Sequence, residues 1–241
     1  MNGDDLLTGR YDNAGPHDVD LNRVWLGVAA QVWCRRPGPV ERAARRLLRS
    51  PGLARALVTT PSLLLGWVIA TAVVLIAGAG FTLGTGQPWV ALLAPAVAAV
   101  GIAYAYGPGI DPSWELSQSM AVSDRMVLLV RALAVFGLNA ALGLAASAAS
   151  GAAAAVTFGW LVPMTAVCAL ALAAATVTRS ANVGVAAGLA GWVITILADQ
   201  TAEGRYTAAI TDPSLALPSL AFAACCVAVV LFATRTPRGT Q

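Results

Sequence analysis

The sequence predicts an all-α, polytopic membrane protein with six spans, and three observations predict it. The chain has 241 residues, of which 58% are hydrophobic and 11% charged, with a mean hydropathy of +0.71, well outside the range of a soluble domain. Six segments come close to or exceed the roughly 20 apolar residues needed to cross a bilayer: Pro61 to Leu83, Pro88 to Tyr106, Met126 to Ser147, Ala152 to Val177, Ala181 to Ala198 and Leu215 to Ala233. The basic residues, finally, are distributed as insertion demands. All 15 are Arg, and only Arg205 falls outside the four regions that a cytoplasmic N-terminus would place inside: the stretch before span one, Gly107 to Arg131, the turn at Arg179 and the stretch after span six. Positive charge stays on the cytoplasmic side, so both termini are expected there. The net charge of +3 then reflects topology, with no nucleic acid as partner.

Residues 1–34 are polar, with Asp4, Asp5, Asp12, Asp18, Asp20 and the one histidine, His17. Such a leader reads as a flexible tail, although Leu21, Trp25, Val28 and Val32 have helical spacing within Leu21 to Trp33. With several acids and no long apolar run at its start, the chain gives no sign of a secretory signal. Residues 35–59 predict an amphipathic helix and a connector. Val40, Ala44, Leu47 and Leu48 share one face, and Glu41, Arg42, Arg45, Arg46 and Arg49 cover the rest. Pro51-Gly52 should break it. A basic amphipathic helix beside a span lies in the headgroup layer with its arginines on anionic lipid; it reads equally as a juxtamembrane topology anchor.

The spans follow over residues 60–234. Gly84 to Pro88 closes span one in a tight outer hairpin. Span two contains Pro95, a site for a kink, and ends in Tyr104 and Tyr106, suited to the interface. Asp111 before Pro112 is a helix start, with a helix expected to Met120, and Ser123-Asp124 is a second start that caps span three. Between them lies a small helical knuckle, which spacing alone does not separate from a solvated loop. Asn139 sits near mid-membrane in span three and should find a partner on another helix, for packing or along a pathway. Span four carries Pro163 and Cys168. Span five opens with Asn182, which could also cap the helix, and the series Gly184, Gly188, Gly191 allows close backbone approach. Asp199 to Leu217, with Glu203, Arg205, Tyr206 and Asp212, is the longest outer interval, and residues 235–241 form a cytoplasmic tail.

What is missing narrows the chemistry. A Walker-type nucleotide loop needs a lysine, and the chain has none. One histidine supports no Ser-His-acid set. No mid-membrane charge pair of the kind an ion-coupled carrier uses is expected, so the interior is read as uncharged and suited to amphipathic or apolar cargo. Four cysteines without CxxC spacing suggest neither metal nor disulfide framework, and adjacent Cys225 and Cys226 read as small hydrophobes. The chain is thus expected not to be an enzyme.

The run GPGIDPSWELSQSMAVSDRMVLLVRALAVFGLNAAL, from Gly107 to Leu142, resembles the loop between the second and third spans of six-helix permease subunits of type-2 ABC exporters. Glu115 and Leu116 match the family's Glu-Leu pair, Ala121, Val122 and Ser123 its turn with Ala in place of Pro, and Arg131 its flanking arginine. The resemblance covers about Pro37 to Leu142 and is topological beyond that. It implies that the knuckle is a coupling helix seated on a partner ATPase, with Asp111, Trp114, Glu115, Leu116, Gln118, Ser119 and Met120 in contact. It implies that Arg42, Arg45, Arg46 and Arg49 belong to an elbow helix, and that the segment holding Glu203, Arg205 and Tyr206 dips back as an outer gate. This chain would bind no cofactor; ATP and Mg would sit on the ATPase, and a second permease subunit would complete the pathway. Some proteins of this group carry a zinc finger ahead of the spans, but His17 and Cys34 stand alone, short of the four ligands a structural zinc takes. Another reading is a membrane-anchored regulator whose polar leader captures a cytoplasmic protein.

Overall fold

A computed structural model describes residues 22–27, 38–58, 60, 65–106, 124–203 and 213–235. The chain divides into two units, Met1–Pro39 and Val40–Gln241. In the first, residues 22–27 form a short helical stretch with exposed side chains. Every regular element among the described residues is helical.

Helix α1 (Pro39–Leu48) opens on proline, whose missing N–H sacrifices no bond in a first turn. Arg45 Nη2 reaches Glu41 Oε1 at 3.2 Å one turn back, a pairing worth a few tenths of a kcal/mol at an exposed site, about 0.3–0.5. The chain turns at Arg49, which has a left-handed φ of 50°. Pro51-Gly52 does not simply break the helix, because Ser50 starts another: its carbonyl accepts from Ala54 N at 3.1 Å and its hydroxyl from Leu53 N at 3.4 Å. Proline at the first position then permits α2 (Pro51–Val58). Leu53 packs on Val127, with Leu48 and Val130 beside them.

The membrane part comprises α3 (Leu65–Thr85), α4 (Trp89–Ala105), α5 (Asp124–Ala149), α6 (Ala154–Gly159), α7 (Leu161–Thr178), α8 (Ala181–Glu203) and α9 (Ala216–Ala233), the last entered by a 3₁₀ turn at Pro213–Leu215. Among the described residues five stretches are long and apolar enough to cross a membrane: α3, α5, α6 with α7, α8 and α9. The chain is therefore a multi-pass membrane protein. The remaining apolar segment, α4, has 17 residues, about 26 Å of helix at 1.5 Å per residue, slightly under a hydrocarbon layer. It lies at the centre, packed by α3, α5, α7 and α8.

Two boundaries differ from the sequence expectation. Span four is not one helix. Pro163 cannot donate to the Gly159 carbonyl and its ring crowds that oxygen, so α6 stops at Gly159 and α7 restarts with Trp160 as its cap, Met164 N bonding Trp160 O at 3.0 Å. Helix α8 continues five residues beyond Ala198, so Asp199 to Glu203 extend the helix instead of opening the outer interval. Apolar composition alone set the expected end at Ala198, and polar residues continue a helix where it leaves hydrocarbon.

Small residues set the packing. A Cβ on Gly184 would stand 2.7 Å from both the Ala171 carbonyl oxygen and Ala175 Cβ, and one on Gly188 would stand 2.9 Å from Ala171 Cβ and 3.0 Å from Ala99 Cβ. The glycine series thus lets α8 close on α7 and α4 within the chain. Nearby, Trp192 Nε1 donates to the Leu92 carbonyl at 2.8 Å, one residue after Ala91, whose carbonyl loses its helical partner because Pro95 has no N–H. These contacts pair Ala103 with Gly184, Ala99 with Gly188 and Leu92 with Trp192, so α4 and α8 run antiparallel. By the same test Gly78 of α3 meets Val90 and Leu93 of α4, while Gly143 of α5 meets Ala94. The starts of α3, α5 and α8 and the ends of α4 and α7 accordingly share one end of the bundle.

Candidate functional site

Helix α5 buries Arg131, Val135, Asn139, Gly143 and Ser147, five residues at four-residue spacing. Each step of four overshoots a full turn by about 40°, so the stripe winds round the helix and meets different neighbours along its length. Near the start Val135 and Asn139 face Gly101 of α4; further on, Gly143 faces the Trp160 ring; last, Ser147 faces Thr157 of α6. Three of the five are polar, forming a seam through an apolar bundle.

The far end of the seam is well paired. Ser147 Oγ donates to Thr157 Oγ1 at 3.4 Å, Thr157 Oγ1 to the Ala152 carbonyl at 3.3 Å, and Ser150 Oγ to the Ser147 carbonyl at 2.7 Å. The middle is not. Asn139 is 3% exposed and its Nδ2 donates to the Val135 carbonyl at 2.8 Å, but its Oδ1 is buried with no hydrogen-bond partner. Trp67 Nε1 and Trp160 Nε1 are buried in the same condition. Trp67 packs edge-on against Tyr104, ring centroids 5.8 Å apart. A Cβ built on Gly101 would lie 3.4 Å from Trp67 Nε1 and 3.5 Å from Asn139 Nδ2, so the indole and amide nitrogens fall within about 7 Å of each other. Such unpaired groups in hydrocarbon are costly, roughly 1–3 kcal/mol each, and uncommon enough to need an explanation.

Arg131 departs from the sequence expectation. Read there as a flanking arginine beside an uncharged interior, it is only 1% exposed. The guanidinium therefore belongs to the seam. Its position eight residues into α5 puts it about two turns inside the helix, where side-chain burial depends on the neighbouring helices and not on distance from the span boundary.

The other expected site residues divide clearly. Arg42, Arg45, Arg46 and Arg49 are exposed around α1, as are Val40 and Leu47, the latter at 84%. Within the apolar stripe of this amphipathic helix, Val40 and Leu47 are thus uncovered in the chain, while Leu48 packs against Leu53 and Val127. Asn182 is exposed on the first turn of α8, away from the seam. Ser180 occupies the capping position, its carbonyl accepting from Gly184 N at 3.2 Å. Glu203 ends α8, while Arg205 and Tyr206 lie outside the described residues, as do Asp111, Trp114, Glu115, Leu116, Gln118, Ser119 and Met120. Cys168 and Cys226 are buried and Cys225 is exposed, all three free. Among the described residues no cluster of three His, Cys, Asp or Glu side chains could hold a metal.

Charge marks the two ends of the bundle. Arg125, Arg131 and Arg179 sit at the end where α4 and α7 finish and α5 and α8 begin, and α2, with Arg55, docks on α5 at Val127 and Val130. Among the described residues at the opposite end, 79–94, 143–165 and 191–203, there is no arginine.

Sequence reasoning picked out Asn139 but missed its companions. Polar residues at 131, 139 and 147, eight apart, were the available signal on α5. Nothing in the sequence marked Trp67 or Trp160, whose roles depend on which helices touch. No known protein family, curated protein or solved structure matches the chain.

Proposed function

We propose that the chain is the membrane-spanning subunit of a type-2 ABC exporter in the plasma membrane, with six crossings and both termini in the cytoplasm. Two such subunits form the pathway for an amphipathic or apolar cargo. A separate ATPase, which holds ATP and Mg, drives alternating access by drawing the cytoplasmic halves together.

The observation that carries this reading is the asymmetry of the bundle. Tyr106 and Asp124, which bound residues 107–123, both stand at the basic end, and α2 docks on the first turns of α5 at that same end. Positive charge retained inside makes the basic end cytoplasmic. An ATPase in the cytoplasm would then reach the segment from Asp111 to Met120, with Glu115 as its principal contact. Helix α1, with exposed arginines and with Val40 and Leu47 uncovered, suits an elbow helix lying in the inner headgroup layer. The segment from Glu203 through Tyr206 would form the outer gate.

Replacing Glu115 with Arg tests the assignment, because a reversed charge at a docking surface repels its partner while leaving span hydrophobicity untouched. The variant should insert at wild-type levels and lose most of its ATPase companion on affinity purification, about tenfold or more. Equal recovery of the same companion would defeat the assignment of Glu115.

A further inference from the structure

The middle of the seam presents an unpaired acceptor, Asn139 Oδ1, and an unpaired donor, Trp67 Nε1, both buried; the indole nitrogen and the Nδ2 of that carboxamide lie 3.4 Å and 3.5 Å from a Cβ built on Gly101. We infer that these two atoms form a binding site for the hydroxyl group of a neutral, long-chain amphipath that enters sideways from the leaflet at the basic end. The inference names the cargo class of the exporter proposed above and rests on that reading only for the transport steps after binding.

The chemistry selects the group. A carboxylate or phosphate would satisfy the indole N–H but face the amide oxygen, and an ammonium would satisfy the oxygen but face the N–H. A hydroxyl both accepts and donates, so it answers both atoms at once without bringing a charge into hydrocarbon. Depth selects the rest of the molecule. Gly101 lies four residues before the end of α4, about 6 Å along the helix, so the Asn139 amide beside it stands nearer the basic end than the mid-membrane position expected from the sequence. That is the level at which a membrane alcohol or glyceride holds its hydroxyl while its chain points to the bilayer centre.

Helix α3 is the wall that would open. It packs on α4 and α5, and its other side carries Leu65, Ile69, Val73 and Ile76, all exposed in the chain. In the present conformation both polar atoms are sealed, and a small outward displacement of α3 carries Trp67 with it and admits a chain between α3 and α5.

The test uses the full-length chain in lipid nanodiscs with no ATPase present. The probes are hexadecanol bearing a chain-end diazirine and its methyl ether, which keeps the oxygen acceptor and loses the donor. Photolabelling by the alcohol should map to α3, α4 and α5, compete with unlabelled hexadecanol, and exceed labelling by the ether about fivefold to tenfold, the worth of one buried hydrogen bond. Asn139→Leu, close to isosteric, should abolish that preference. Trp67→Phe should weaken labelling by alcohol and ether alike, and serves should the first variant fail to fold. Equal labelling by the two probes, a preference that survives Asn139→Leu, or labels scattered over α3 and α9 alike would overturn the site. Hydroxyl-selective labelling of a chain that never recruits an ATPase would keep the site and remove the exporter reading; recruitment without selectivity would do the reverse.

Discussion

Adding one methyl group at Gly184 and the same group at Gly137 should have opposite consequences. At Gly184 the new Cβ would sit 2.7 Å from the Ala171 carbonyl oxygen and 2.7 Å from Ala175 Cβ, and 3.2 Å from Ala103 Cβ. A backbone oxygen and two methyl groups on rigid helices cannot swing aside, so α8 must retreat by about 0.7 Å to restore ordinary contact. A gap of that size forfeits a quarter to a half of each dispersion contact along the seam with α7, and overpacking of this kind costs about 1–3 kcal/mol. Gly137, on the exposed side of α5, has nothing within 4 Å of the same atom. There the methyl only restricts the backbone and favours the helix by up to about 1 kcal/mol. The two variants should therefore differ by roughly 2–3 kcal/mol. At about 2–4 °C per kcal/mol for a chain of this size, that is a gap in melting temperature of several degrees, readable by fluorescence-detected size-exclusion chromatography after heating in detergent. Equal melting of Gly184→Ala and Gly137→Ala would refute close approach of α8 to α7 as the organising contact.

Trp192→Phe removes the donor to the Leu92 carbonyl from a side chain that is 2% exposed. An interhelical bond in a membrane is worth about 0.6–1.7 kcal/mol, and the smaller ring leaves a void, so a loss of about 2 kcal/mol is expected in the same heating assay; an unchanged midpoint would show that the bond does not hold α8 on α4. A spin label at Leu47, in a chain whose four cysteines are replaced by serine before Leu47→Cys is introduced, should be accessible to oxygen and shielded from aqueous nickel in anionic vesicles. Replacing Arg42, Arg45 and Arg46 with Ala should reduce that shielding, since each arginine contributes about 1 kcal/mol near an anionic surface. A label that behaves as water-exposed in the parent chain would remove α1 from the headgroup layer.

How far the sequence reaches depends on what each feature responds to. Apolar runs report hydrocarbon, and they located α3, α5, α8 and α9 to within a few residues at most ends. The exit of α8 at Glu203 escaped because a helix leaving the bilayer obeys capping and propensity rather than hydropathy. The break at Trp160 was written in Pro163, but whether proline bends or splits a helix depends on what its neighbours can support. The glycine series was visible as a pattern, and only the contacts of Gly184 and Gly188 show that it faces α7 and α4 inside the chain. The seam was the least legible feature. Burial of Arg131 and the grouping of Trp67 with Asn139 arise from helices that are distant in sequence, and no local spacing encodes that meeting.

The measurement that bears most directly on the proposed function is photo-crosslinking from Gln118, within residues 107–123, using a benzophenone amino acid incorporated in living cells. The proposal predicts one dominant adduct, with a cytoplasmic protein that carries a Walker nucleotide loop, and its loss when Glu115→Arg is added. No such adduct, together with labelling of a cysteine at the same position by an impermeant maleimide applied outside intact cells, would contradict it.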